Sequence, residues 1–177
     1  MKKQIRQRVF ETNSSSTHSI CIARNPVLSE IPSSLNFKFG SFGWEVDKLT
    51  SIKEKASYLY TCISYLDDID KIKECLQFIT NSLIEYGVED IYFDNFELSP
   101  FCNGINNVDI YICPGDEGYV DHGREAIDFV EAVCSDKHKL INYLFSEQSF
   151  ILTGNDNDEI GVDINVDYDY DEYFKGN

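Results

Sequence analysis

The sequence predicts an α+β fold: a mixed or mostly antiparallel sheet with a helical hairpin and further helices packed on one face. Three observations carry that expectation. Apolar residues recur at three- and four-residue spacing through two adjacent stretches between 49 and 86, which is helical periodicity. Short runs such as Ser19-Ile-Cys-Ile-Ala23 and Ser149-Phe-Ile-Leu-Thr153 have the length and apolar content of strands. Strands and helices do not alternate one for one, so a doubly wound parallel sheet is not expected. With 177 residues, 42% of them hydrophobic, and twelve Phe, eleven Tyr and one Trp, the chain can bury one substantial core. Residues 1–166 are read as a single domain and 167–177 as an acidic, flexible tail.

From the N-terminus, Ile5, Val9 and Phe10 give a weak strand pattern over 4–12, and 19–23 gives a stronger one. The polar run 12–18 is expected to connect them. Pro26 and Pro32 punctuate a loop, after which Leu35, Phe37 and Phe39 alternate as in a strand. Gly40 and Gly43 mark an aromatic turn carrying Trp44 and Glu45, which reads either as a packed loop or as a site with Glu45 as a ligand or an acid–base group held by Trp44. The first helix is expected over 49–66, capped by Thr50 or Ser51, with Ile52, Ala56, Leu59, Tyr60, Ile63 and Leu66 as its core stripe. The second starts behind Asp67-Asp68, follows Ile72, Cys75, Leu76, Ile79, Leu83 and Tyr86, and stops at Gly87. Strands at 91–93 and 108–113 flank a polar loop containing Pro100, Cys102, Asn103 and Gly104. Beyond the glycine-punctuated loop 114–123, helices are expected at 125–134 and 137–145, broken at Ser135-Asp136. A strand at 149–153 then turns over 154–158 into a hairpin mate at 160–166.

The formal net charge of −16, with a pI near 4.4, bounds the functional classes. Such a surface repels phosphate backbones, so ordinary DNA or RNA binding is disfavoured and a partner should be basic. Solubility alone is the plainer explanation of the same acidity. The charge is uneven: residues 1–40 carry six cations against two acids, and residues 154–177 eight acids against Lys175. No apolar run approaches the roughly 20 residues that span a bilayer, and Lys2-Lys3 leads into polar residues, so a cytoplasmic protein is expected. The six cysteines, at 21, 62, 75, 102, 113 and 134, include no CxxC pair and should be reduced, serving as small core hydrophobes.

Chemistry, if present, should involve the polar run. Ser14, Ser15, Ser16 and His18 could join Asp121 and His122 of the glycine-rich loop, where a histidine base activates a serine or a divalent metal is held. The structural alternative is that these hydroxyls, with Asn13, satisfy backbone groups in a turn; a backbone anion nest is a third possibility. His138 falls early in a helix and should face solvent. Asp156, Asp158 and Gly161 occupy the first, third and sixth places of a calcium loop, but Ile160 and Asp167 stand at the fifth and twelfth, which leaves a polar turn. No cofactor is expected.

The segment Phe10-Glu-Thr-Asn-Ser-Ser-Ser-Thr-His-Ser19 resembles the opening signature of a group of short proteins from phages and mobile elements of low-GC bacteria. Phe42-Gly-Trp-Glu45, Lys55-Ala-Ser-Tyr-Leu-Tyr-Thr61, Asp121-His122 and Phe150-Ile-Leu-Thr-Gly-Asn-Asp-Asn157 are similar to later blocks of the same group. The resemblance implies a setting, the host cell cytoplasm, and no mechanism. In that setting the acidity leads us to expect an inhibitor of a basic, nucleic-acid-binding host defence effector such as a CRISPR nuclease, acting as a nucleic-acid mimic of the anti-CRISPR type. Its contacts would come from Asp116, Glu117, Asp121, Asp163, Asp167, Asp169, Asp171 and Glu172. The alternative expectation is a metal-assisted or Ser/His hydrolytic enzyme built on Ser14, Ser15, Ser16, His18, Asp121 and His122.

Overall fold

A computed structural model describes residues 16–43, 45, 47–94, 97–103, 107–113, 118–121, 126–155 and 170–176. In chain order the elements are β1 (Ser16–Ala23), β2 (Ser34–Phe37), β3 (Ser41–Phe42), β4 (Asp47–Leu49), α1 (Ile52–Ile63), α2 (Ile69–Tyr86), β5 (Asp90–Phe93), β6 (Glu97–Asn103), β7 (Asn107–Cys113), β8 (Tyr119–Val120), α3 (Ile127–Val133), α4 (Lys137–Phe145), β9 (Phe150–Asn155) and β10 (Tyr170–Gly176). The fold is α+β, as its periodicities predict. No helix among the described residues is long and apolar enough to cross a membrane.

Three of the helices, α1, α2 and α4, start behind a side-chain cap. Ser51 accepts the Glu54 N–H while the Glu54 carboxylate accepts the Ser51 N–H, a reciprocal cap that satisfies two otherwise orphaned donors of α1. Asp68 caps α2 through the Asp70 and Lys71 N–H groups, and Asp136 caps α4 through those of His138 and Lys139. Gly87 ends α2 at φ 112°, the left-handed conformation that costs a residue without a Cβ least. His138 is exposed on α4, as expected.

The main sheet has the order β10-β1-β9-β4, with every pair antiparallel. Its period-two alternation sorts β1 into two faces. Ile20 and Ile22 join Ile151 and Leu49 in the main core, whereas Cys21 forms a second cluster with Phe150 and Leu152. Helices α1, α3 and α4 pack on one another; α4 also meets β1, and α1 lies against β2 and β8. Three two-stranded pairings complete the description: parallel β2–β5 and β3–β8, and antiparallel β6–β7. Aromatic rings fill the space between layers, Phe42 meeting Tyr58, Tyr58 meeting Phe129, and Phe129 meeting Tyr143 at centroid separations of 5.2, 6.1 and 5.0 Å.

Four expectations need correction. The polar run does not remain a connection throughout: Ser16, Thr17 and His18 are already strand, opposite Asn155, Gly154 and Thr153. β1 is paired on both edges, and ladder hydrogen bonds satisfy a backbone whatever side chains it carries, so pairing overrides strand propensity here. The loop expected around Pro100 contains β6, which runs antiparallel to β7 with Pro100 opposite Ile110. In a two-strand ladder each strand keeps an open edge where a missing N–H is tolerated. Gly154 and Asn155, expected in a turn, extend β9 instead. The tail expected to be flexible contributes β10, which pairs with β1 at the sheet edge. Its acid–aromatic alternation is itself a period-two pattern, and edge strands accept charge. The hairpin mate expected at 160–166 and the strand expected over 4–12 lie outside the described residues.

Candidate functional site

His18 is only 4% exposed, in the middle of β1 and on the face that looks toward α1. Its Nδ1 lies 3.1 Å from the Tyr58 hydroxyl, which α1 presents from a fully buried position. Burial holds the Tyr58 phenol well above its ordinary pKa, so the hydroxyl stays protonated and can give or take the hydrogen bond according to the imidazole tautomer. Only the tautomer in which Nδ1–H donates to Tyr58 leaves Nε2 as a proton acceptor.

Nε2 faces the backbone of Gly43. A Cβ built on Gly43 would stand 3.3 Å from His18 Nε2 and 2.6 Å from the Asp121 Cβ, and Gly43 itself has φ 146°. Both the approach and the conformation therefore require glycine. The short β3–β8 pair brings Asp121 there: its N–H donates to the Phe42 carbonyl at 3.0 Å, and the neighbouring Val120 N–H donates to the Tyr65 hydroxyl at 3.0 Å. His18 and Asp121, remote in sequence, thus flank one glycine.

Beside them a cleft of about 440 Å³ opens between β3, β4, β8 and β9, with Ser41, Glu45, Asp47, Tyr119 and Thr153 among its walls. Thr153 sits opposite His18 across β1–β9 and donates its hydroxyl to the Glu45 carbonyl at 2.7 Å, which pins the rim to the sheet. The volume suits a small ligand or one side chain of a partner, and exposed Glu45 and Asp47 with half-buried Asp121 make its surroundings acidic. No group of three or more metal-ligating side chains is assembled among the described residues.

The other anticipated residues are distributed as follows. Ser16 lies two positions before His18 on β1. Asp171 and Glu172 belong to β10, with Glu172 opposite Ile22 and Asp171 at a register shift. Ser14, Ser15, His122, Asp116, Glu117, Asp163, Asp167 and Asp169 lie outside the described residues. Glu45, offered as an acid–base group, is exposed and contributes its backbone carbonyl to Thr153.

Tyr58, Gly43 and Thr153 were not singled out as site residues. Tyr58 lies off the stripe at three- and four-residue spacing, and the partners of Gly43 and Thr153 are set by tertiary pairing alone. Lys55 was missed too. It is 1% exposed, and its ammonium donates to the Ser146 and Ser149 carbonyls at 2.6 and 3.2 Å. Burial pulls its pKa down to about 8, against the opposing pull of Glu147 and Glu54. The turn around it is itself closed by Ser146 and Ser149 hydroxyls, so Lys55 ties α1 to the start of β9.

Comparison of the chain with protein-family models, with curated proteins and with solved structures finds no match.

Proposed function

We propose that the protein is an inhibitor that binds a basic, nucleic-acid-binding partner in the host cytoplasm, a defence effector such as a CRISPR nuclease, by presenting carboxylates where phosphates would lie. The observation that carries the reading is the net charge of −16. Lys71–Glu131, Lys73–Asp70 and Lys137–Glu85 form ion pairs whose lysines are already counted in that net charge. Glu45, Asp47, Glu74, Glu89, Asp90 and Asp128 stand exposed with no ion-pair partner among the described residues. A surface of this sign steers the molecule toward cationic grooves and keeps it off nucleic acid. The test is competition: the protein is titrated into a CRISPR nuclease loaded with labelled DNA at several salt concentrations. Displacement should weaken steeply between about 50 and 200 mM salt. Displacement that ignores ionic strength, or none at low salt, rejects the reading.

A second reading is favoured by one observation, the convergence of His18 Nε2 and Asp121 on Gly43 beside a cleft. There the protein is a hydrolase in which His18 acts as base toward a serine of the polar run and Asp121 orients the reacting groups. A His18→Ala variant that folds and keeps full biological effect removes this reading. The burial of His18 and its bond to Tyr58 are equally what a structural histidine would have, so the inhibitor reading ranks first.

A further inference from the structure

Two half-buried cysteines, Cys75 in the middle of α2 and Cys134 at the C-cap of α3, pack against the same core and carry no disulfide. The two thiols interact directly, and a neighbouring ion pair joins the same two elements. Lys71, one turn before Cys75 on α2, reaches Glu131, three residues before Cys134, at 3.7 Å. Residues spaced by four and by three share a helix face, so the ion pair and the thiol pair lie along the same two faces. The thiols are hydrogen bonded to each other. We infer that Cys75 and Cys134 form a redox-responsive dithiol, a modification site at which a small disulfide oxidant closes an intramolecular disulfide between α2 and the end of α3.

The hydrogen bond assigns the roles. The Cys134 thiol lowers the pKa of Cys75 and has its own raised by the same bond, so Cys75 is the attacking sulfur and Cys134 the resolving one. The Cys75 thiolate attacks one sulfur of an oxidised low-molecular-weight disulfide, forming a mixed disulfide and expelling one small thiolate. Cys134 then loses its proton and attacks the Cys75 sulfur, expelling the second. The protein dithiol is oxidised by two electrons, and one small disulfide is reduced to two thiols. The product matters because α2 buries only Ile72, Ile79, Ser82 and Leu83 of its 18 residues. A covalent link at its middle would clamp the more exposed of the two long helices to the core.

The experiment treats the reduced full-length protein with oxidised glutathione. Peptide mapping after cleavage at aromatic residues separates Cys75 from Cys102 and Cys113. The expected product is a Cys75–Cys134 disulfide, lighter by two hydrogen atoms, with an unfolding midpoint raised by about 8 °C. Cys134→Ser should stop at a mixed disulfide on Cys75, and Cys75→Ser should leave Cys134 unmodified. A stable mixed disulfide on Cys75 in the unsubstituted protein, a disulfide between other cysteines, or no reaction at 75 and 134 would overturn the inference. A serine variant that misfolds registers separately, as a loss of the cooperative unfolding transition.

Discussion

Helices α1 and α2 are neighbours in sequence, yet they hold their polar groups in opposite ways. Along α1 the hydrogen bonds reach far: Lys55 to the turn before β9, Tyr58 to β1, Tyr60 to the Asp94 carbonyl, and Thr61 to the Gly40 N–H. Eight of its twelve residues are buried. Along α2 many bonds are local and exposed, as in the Asp68 cap, the Lys73–Asp70 pair at 3.1 Å and the Gln77–Asn81 bond at 2.9 Å. The difference teaches where substitution is costly. A buried polar group with distant partners strands those partners when it is removed, whereas an exposed one hands them to water.

The largest separation is expected between two lysines. Lys55→Met leaves the Ser146 and Ser149 carbonyls unpaired in the interior and should cost about 2–4 kcal/mol in urea unfolding. Lys73→Met, which removes an exposed pair, should stay within about 0.5 kcal/mol. Equal costs would erase the contrast. The same pair sharpens it through pH. The folded pKa of Lys55, about 8, lies below its value of 10.5 in a free side chain, so the unfolded chain binds more protons in between. Its contribution to stability must therefore rise as pH climbs from 8 toward 10. The gap between the unsubstituted protein and Lys55→Met should widen over that window, measured below pH 10, where the buried tyrosines begin to act in the opposite sense.

Two glycines give the next test. Gly43→Ala places a methyl 2.6 Å from the Asp121 Cβ and adds strain at φ 146°, an expected loss of about 2–3 kcal/mol. At Gly87, which ends α2, a methyl meets nothing within 4 Å, leaving only the left-handed strain of about 1 kcal/mol. Tyr58→Phe strands the buried His18 ring nitrogen and should cost about 2 kcal/mol, against about 1 kcal/mol for the exposed Asp68→Ala cap. Of the two residues Tyr58 is the one hydrogen bonded to His18, so only the first substitution should shift the His18 ring resonances followed by NMR.

What could be read from the chain follows the same division. The Ser51 and Asp68 caps and the Gly87 stop act within a few residues, so α1 and α2 were visible as periodicity bounded by capping chemistry, and α4 as the stretch behind the break at Ser135-Asp136. β5 and β7 were visible as apolar strand-forming runs. β6 was hidden by Pro100, β10 by its acidity, and the polar start of β1 by its hydroxyls, because each is a strand by virtue of its partner. The site was half legible. His18 and Asp121 stood out as residue types, but their meeting depends on Gly43, whose role is set by the parallel β3–β8 pairing.

The central claim is that negative surface charge carries the function while the His18 pocket holds the sheet to α1. The direct measurement compares three proteins in the DNA-displacement assay: the unsubstituted chain, His18→Ala, and a variant with Asp163, Asp167, Asp169 and Asp171 changed to Asn. Near-native displacement by His18→Ala and at least about tenfold weaker displacement by the neutralised variant are predicted, a loss of roughly 1.4 kcal/mol. Loss of effect in a folded His18→Ala protein, with the neutralised variant unimpaired, would contradict the claim and place the activity at the buried imidazole.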